Sequence, residues 1–159
     1  MMTKDLYSFV VFILYTVKQL SDPVISLFDD QSQERIYLES EAILSILKRG
    51  EHHQFKILGS PILQLEMNQM RDEDKKQKVR NLYRIIHEEI PYTKEVKARS
   101  SEIMELSKIR SFDSLHIAIA ESVNADILLT TDDKLEKMAI HLDLKVRVLN
   151  PLKFVLEVL

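Results

Sequence analysis

Residues 112–133, FDSLHIAIAESVNADILLTTDD, place an apolar helix, a turn and an apolar strand in direct succession. Phe112 to Val123 is apolar nearly all round, so that helix has to be covered on more than one side. Asn124 tolerates the left-handed conformation that ends a helix, and DILLT (126–130) reads as a strand. An apolar strand next to an apolar helix belongs in a layered α/β structure whose sheet is covered on both faces. The strand runs out into Asp132 and Asp133, and poor strand formers at that point call for a reason. Asp133 with Glu136 three residues on has the form of a capping box, which leaves Asp132 free for another role. Asp126, before the strand, reads as structural, bonding nearby backbone.

The same alternation runs through the rest of the chain. LYSFVVFILYTV (6–17) has twelve residues, whereas a spanning helix needs about 20. MMTKD is a weak basic region with no small-residue cleavage site after it, so a signal peptide is not supported. The run reads as a buried strand or a short core helix, and its apolar surface is a candidate for self-association. A helix is expected over 34–49, from the spacing of Ile36, Ala42, Ile43, Ile46 and Leu47, with Gly50 as terminator. FKILGS (55–60) reads as a strand, and Ser60-Pro61 as the cap and first turn of the next helix. Helices are predicted over 72–89 and 94–109 with Pro91 between them. DKLEKMAIHL is a further helix, LKVRVLN a strand, and PLKFVLEVL a closing helix begun by Pro151. With two glycines and four prolines the chain has no flexible linker, so 1–159 is expected to form a single domain with a mostly parallel sheet.

Charge and composition narrow the function classes. An apolar share of 45% against 30% charged suits a folded domain rather than a disordered chain. A net charge of −3 supplies no global attraction to nucleic acid or membrane, so any such binding needs a local patch. The absence of cysteine excludes a disulfide framework, a thiolate zinc site and a thiol nucleophile, and fits a cytoplasmic setting.

In parallel sheets, ligands gather beyond the carboxyl ends of the strands. Glu66, on the helix after FKILGS, Asp113, at the start of the apolar helix, and Asp132 all fall near such ends. Singly, each has an ordinary explanation: Asp113 as a helix cap, Glu66 as a solvated helix residue. Gathered in one partly buried cleft, they would repel one another unless a cation neutralised them. Oxygen ligands without cysteine favour Mg2+ or Mn2+ over zinc, and such an ion leaves positions open for phosphate oxygens and water. That chemistry suits phosphodiester hydrolysis.

FDSLHIAIAESVNADILLTTDDKL resembles the second half of a PIN domain, the nuclease domain common in toxins of prokaryotic toxin–antitoxin pairs. FDDQSQERIYLESEAIL, SPILQLEMNQMRDEDKKQKV and NPLKF extend the likeness to one bacterial, VapC-like subgroup, over about residues 28–159. The resemblance implies a three-layer α/β/α sandwich and an RNA-cutting site in which Glu66, Asp113 and Asp132 bind Mg2+ or Mn2+ directly or through water. It also implies an antitoxin partner, and homodimers are common among relatives. The departure lies in residues 1–27. Counting back from Phe28 puts Leu20 where the family has the acidic residue ending its first strand, and the nearest carboxylate is Asp22. Either FVVFILYTV or VKQL serves as the first strand with Asp22 as the replacement ligand, or the site is incomplete.

Two functional readings follow. The chain is a metal-dependent ribonuclease with Asp22, Glu66, Asp113 and Asp132 as catalytic metal ligands, or an impaired domain of the same fold that binds RNA or a protein. Lys75, Lys76, Lys78 and Arg80 form a basic cluster that is either a solvated helix face or an RNA phosphate contact. His116 reads as a buried, hydrogen-bonded core histidine rather than a metal ligand.

Overall fold

The computed structural model describes the backbone of residues 9–12 and 30–158, and the side chains of 34–158 other than 75, 78 and 82. Five strands form one parallel sheet: β1 (Phe9–Phe12), β2 (Lys56–Gly59), β3 (Glu88–Glu89), β4 (Ile127–Leu129) and β5 (Arg147–Leu149). Their spatial order is β3-β2-β1-β4-β5. The helices are α1 (Asp30–Glu51), α2 (Pro61–Asn68), α3 (Glu73–Tyr83), α4 (Lys94–Leu106), α5 (Ser111–Ser122), α6 (Asp133–Ile140) and α7 (Pro151–Val158).

Side chains alternate across a strand, and that alternation builds two cores here. Leu58, Leu128 and Val148 face the layer of α4, α5 and α6, where they meet Val96, Ile103, Ile117 and Leu135. Ile57, Ile127, Leu129 and Leu149 face the opposite layer, against Ile43 and Ile46 of α1 and Phe154 of α7. The result is a three-layer α/β/α sandwich, as expected. A smaller cluster of Leu63, Met67 and Val79 joins α2 to α3.

Several local expectations hold. Ser60 caps α2, its hydroxyl accepting from Leu63 N at 3.2 Å with Pro61 in the first turn. Asn124 has φ 53°, the left-handed value foreseen for it.

The N-terminal apolar run supplies β1, which is hydrogen-bonded on one side to β2 and on the other to β4. Residues 9–12 are therefore the middle of the sheet, as the strand reading of that run expected, and the rest of the run lies outside the described residues. Other expectations need correction. The charged helix predicted over 72–89 stops at Tyr83 because sheet pairing takes over. Ile57 N donates to His87 Nδ1, and Ile90 N donates to Gly59 O at 2.8 Å, which fixes β3 at the edge. Gly50 does not terminate α1. It lies inside the helix, and a Cβ there would approach Ile57 Cγ1 to 2.8 Å, so its role is close approach to β2. The positive φ after the helix belongs to His53, at 59°.

Candidate active site at the carboxyl edge of the sheet

The strand order reverses between β1 and β4, with β2 and β3 added on one side of β1, and β4 and β5 on the other, and the crevice beyond the carboxyl ends of those strands is where open parallel sheets bind ligands. Three helices bring acidic residues to this edge. α6 begins four residues beyond the end of β4, and α5, which runs back to feed β4, has its first turn there. α2 starts directly after β2.

Asp132 is fixed by its own backbone surroundings. Its N–H donates to Thr130 Oγ1 at 3.0 Å, and its Oδ1 accepts from Lys134 N at 2.9 Å and Leu135 N at 3.3 Å. Asp132 is thus the N-cap of α6, which corrects the assignment of that cap to Asp133. Asp133 is held instead by Arg35, whose Nη1 and Nη2 reach its two oxygens at 2.7 and 2.5 Å. Glu136, the other residue of the expected capping box, is buried and pairs with Lys153. Capping occupies only Oδ1 of Asp132. Its Oδ2 lies 3.6 Å from Arg110 Nη2.

Asp113 sits in the first turn of α5 and does not cap it; the N-cap position is Arg110, which makes no side-chain cap bond. Asp113 is buried. Arg110 grips it from three residues upstream, Nε and Nη2 lying 3.2 and 3.1 Å from Oδ2. Burial pushes the Asp113 carboxyl above its ordinary pKa, against the pull of Arg110 and His116, and repulsion from Asp132 adds to the rise.

Glu66 joins the cluster through His116. The imidazole is fully buried one turn along α5 from Asp113, and its Nε2 lies 2.7 Å from Glu66 Oε1. A carboxylate only accepts, so Nε2 donates in this bond. Nδ1 has no hydrogen-bond partner among the described residues. His116 is therefore the buried, bonded histidine expected, and its partner is one of the candidate ligands.

Arg110 thus links Asp113 to Asp132, while Glu66 is tied to His116, three residues along α5 from Asp113. Among the described residues, no three His, Asp or Glu side chains are grouped to hold a metal ion. What the cluster offers is a pair, Asp113 and Asp132, around one cation. Mg2+ takes one or two carboxylates and keeps water or phosphate in its other positions, so this pair fits such an ion. Asp22 lies outside the described residues. β1 ends at Phe12, and the sequence holds no carboxylate from Leu6 through Ser21, so none stands on that strand. Of the basic cluster, Lys76 and Arg80 lie on α3, Lys76 Nζ reaching Asn68 O at 3.5 Å and Arg80 exposed. The side chains of Lys75 and Lys78 are outside the described set. Arg110 was missed in the sequence, although a cation three residues before Asp113 at a helix start was a legible signal.

Known proteins were compared with this architecture. No curated protein sequence matches the chain significantly. Among solved structures, the chain is similar to VapBC2 from Rickettsia felis, crystallised with a DNA fragment from its promoter, at a TM-score of 0.57 and 14% identity. That match covers 89% of this chain and 98% of the other, and at such low identity it speaks for the fold. In sequence, the family model of the PIN domain matches residues 24–141, roughly three-quarters of the chain and all three described acidic positions. With that match over most of its length and the three-layer fold in agreement, the chain belongs to the PIN domain family.

Proposed function

We propose that this protein is a PIN-type ribonuclease, the toxin of a toxin–antitoxin pair, which hydrolyses RNA phosphodiester bonds at the acidic edge. The observation that carries this reading is the convergence of Asp113 and Asp132, from two helix starts, on one shared cation. PIN domains are generally nucleases and typically use divalent ions. Asp113 and Asp132 would hold Mg2+ or Mn2+, with Glu66, and Asp22 from the first-strand side, as further ligands directly or through water. A divalent ion held there supplies Lewis-acid polarisation of the phosphate and a bound water of lowered pKa.

The chain's own groups do the rest. Thr130 and the α6 amides hold Asp132 in one orientation. His116 holds Glu66, so the carboxylate needs no reorganisation when RNA arrives. The starts of α5 and α6 carry partial positive charge that favours phosphate at this edge. Lys75, Lys76, Lys78 and Arg80 on α3 would contact phosphates along the strand and offset repulsion from the acidic cleft. A VapB-like antitoxin partner is proposed by analogy with the VapBC2 complex.

Single-stranded RNA incubated with Mg2+ or Mn2+ tests the proposal. Wild-type protein should cut it, and Asp113→Asn should lose roughly 10²-fold or more in rate. Equal rates for the two proteins would sink it. A second reading rests on the lack of a carboxylate on β1: a PIN domain that binds RNA without cutting it. RNA retained on filters by wild type, with no cleavage in either metal, is the outcome that selects it.

A further inference from the structure

We infer that Arg110 is an intramolecular competitor of the divalent ion, its guanidinium standing between Asp113 and Asp132 where the ion would sit. The inference rests on the metal-dependent reading above and adds to it a control on metal entry. One guanidinium reaches both carboxylates, at 3.1 Å to Asp113 and 3.6 Å to Asp132. It supplies one positive charge against two negative ones. The pair is therefore tolerable without metal, yet still short of the neutrality that a divalent ion brings. Asp113 is 9% exposed at its side chain and Asp132 is capping a helix, so neither carboxylate can turn away. Arg110 can. Its side chain is 70% exposed and is attached at the helix cap. Metal entry then consists of exchanging a hinged cation for a doubly charged one on a fixed pair of anions, and the released guanidinium stays at the rim of the cleft. A divalent ion beside a retained guanidinium would meet like-charge repulsion. At about 5 Å in a water-exposed site that repulsion corresponds to roughly tenfold in affinity.

Calorimetric titration of the full chain with MnCl2 tests this on wild type, Arg110→Gln and Arg110→Lys. Arg110→Gln should bind Mn2+ about tenfold more tightly than wild type, and Arg110→Lys, which keeps a positive charge, should stay near wild type. A parallel Mg2+ titration followed by the Arg110 Nε–H NMR signal of wild type should move that signal with the calorimetric midpoint. Equal Mn2+ affinity in wild type and Arg110→Gln, or an Nε–H signal that does not respond, overturns the competition while leaving the nuclease reading intact. Arg110→Gln binding more weakly than wild type also overturns it, because the arginine would then be helping to hold the ion. No saturable heat in any of the three proteins removes the metal-dependent reading and the competition together. Thermal melts of each variant accompany the titrations, so that a misfolded protein is not scored as a non-binder.

Discussion

Asp113 carries the electrostatic cost of the site at the scale of a single residue. Its folded-state pKa is raised by burial, so the folded protein holds that proton more tightly than the unfolded chain does. Stability therefore falls as pH rises through the interval between the unfolded and the folded value, and the penalty is complete once pH exceeds the folded value. Asp113→Asn in a chelator should consequently melt higher than wild type at a pH above the folded-state value, with the gap closing as pH falls below the ordinary carboxylate range. Thermal melts at both pH values check this; a lower melting temperature for the variant at the higher pH would mean that the Arg110 pair outweighs burial. At the same scale the sequence was readable for residue type and ambiguous for role. Either of two adjacent aspartates can cap a helix, and the pattern Asp133-x-x-Glu136 favoured the second. Arg35, 98 residues earlier in the chain, decides otherwise by claiming Asp133, which leaves the cap to Asp132. No local pattern contains that information. The lesson is that a carboxylate can serve as a cap with one oxygen and face a cleft with the other.

Helices and strands as units were easier to read, and their errors lie at the ends. Periodicity located α1, α5 and α6 because each buries one or more faces against the sheet. It failed where pairing partners from elsewhere decide the boundary, as at Ile85–Ile90, where hydrogen bonds to Ile57 and Gly59 end the helical run. Gly50 illustrates how a correct residue can be given the wrong reason. A glycine near a helix end usually supplies a left-handed terminus, whereas here it makes room for Ile57 on the neighbouring strand. Gly50→Ala gains up to about 1 kcal/mol of helix propensity. The clash with a well-packed core costs about 1–3 kcal/mol. The net effect expected is a loss of stability in a denaturant titration, and a rise in midpoint would show that α1 and β2 can move apart freely.

For the molecule as a whole, the layered architecture was legible because apolar strands alternate with helices and the sheet is buried on both sides. The placement of the first strand was not. The PIN match begins at residue 24, whereas β1 ends at Phe12, and the apolar run from 6 to 17 carries no charge that could fix which four residues enter the sheet. Only pairing with β2 and β4 settles the register, with Val10 opposite both Ile57 and Ile127. Proline cannot donate to a ladder and is excluded from central strands. Val11→Pro should therefore abolish the cooperative melt seen by circular dichroism; a variant melting within about 5 °C of wild type would place β1 outside the folding core. The position of β1 also bears on synthesis. Phe12 leaves the ribosome more than a hundred residues ahead of its neighbour Leu129. At about 5–20 residues per second the strand waits roughly 6–25 s for that neighbour to be made. Through that interval the newborn chain carries an unshielded oily ribbon, a natural handle for chaperones, and the sheet closes around it only once β4 has emerged.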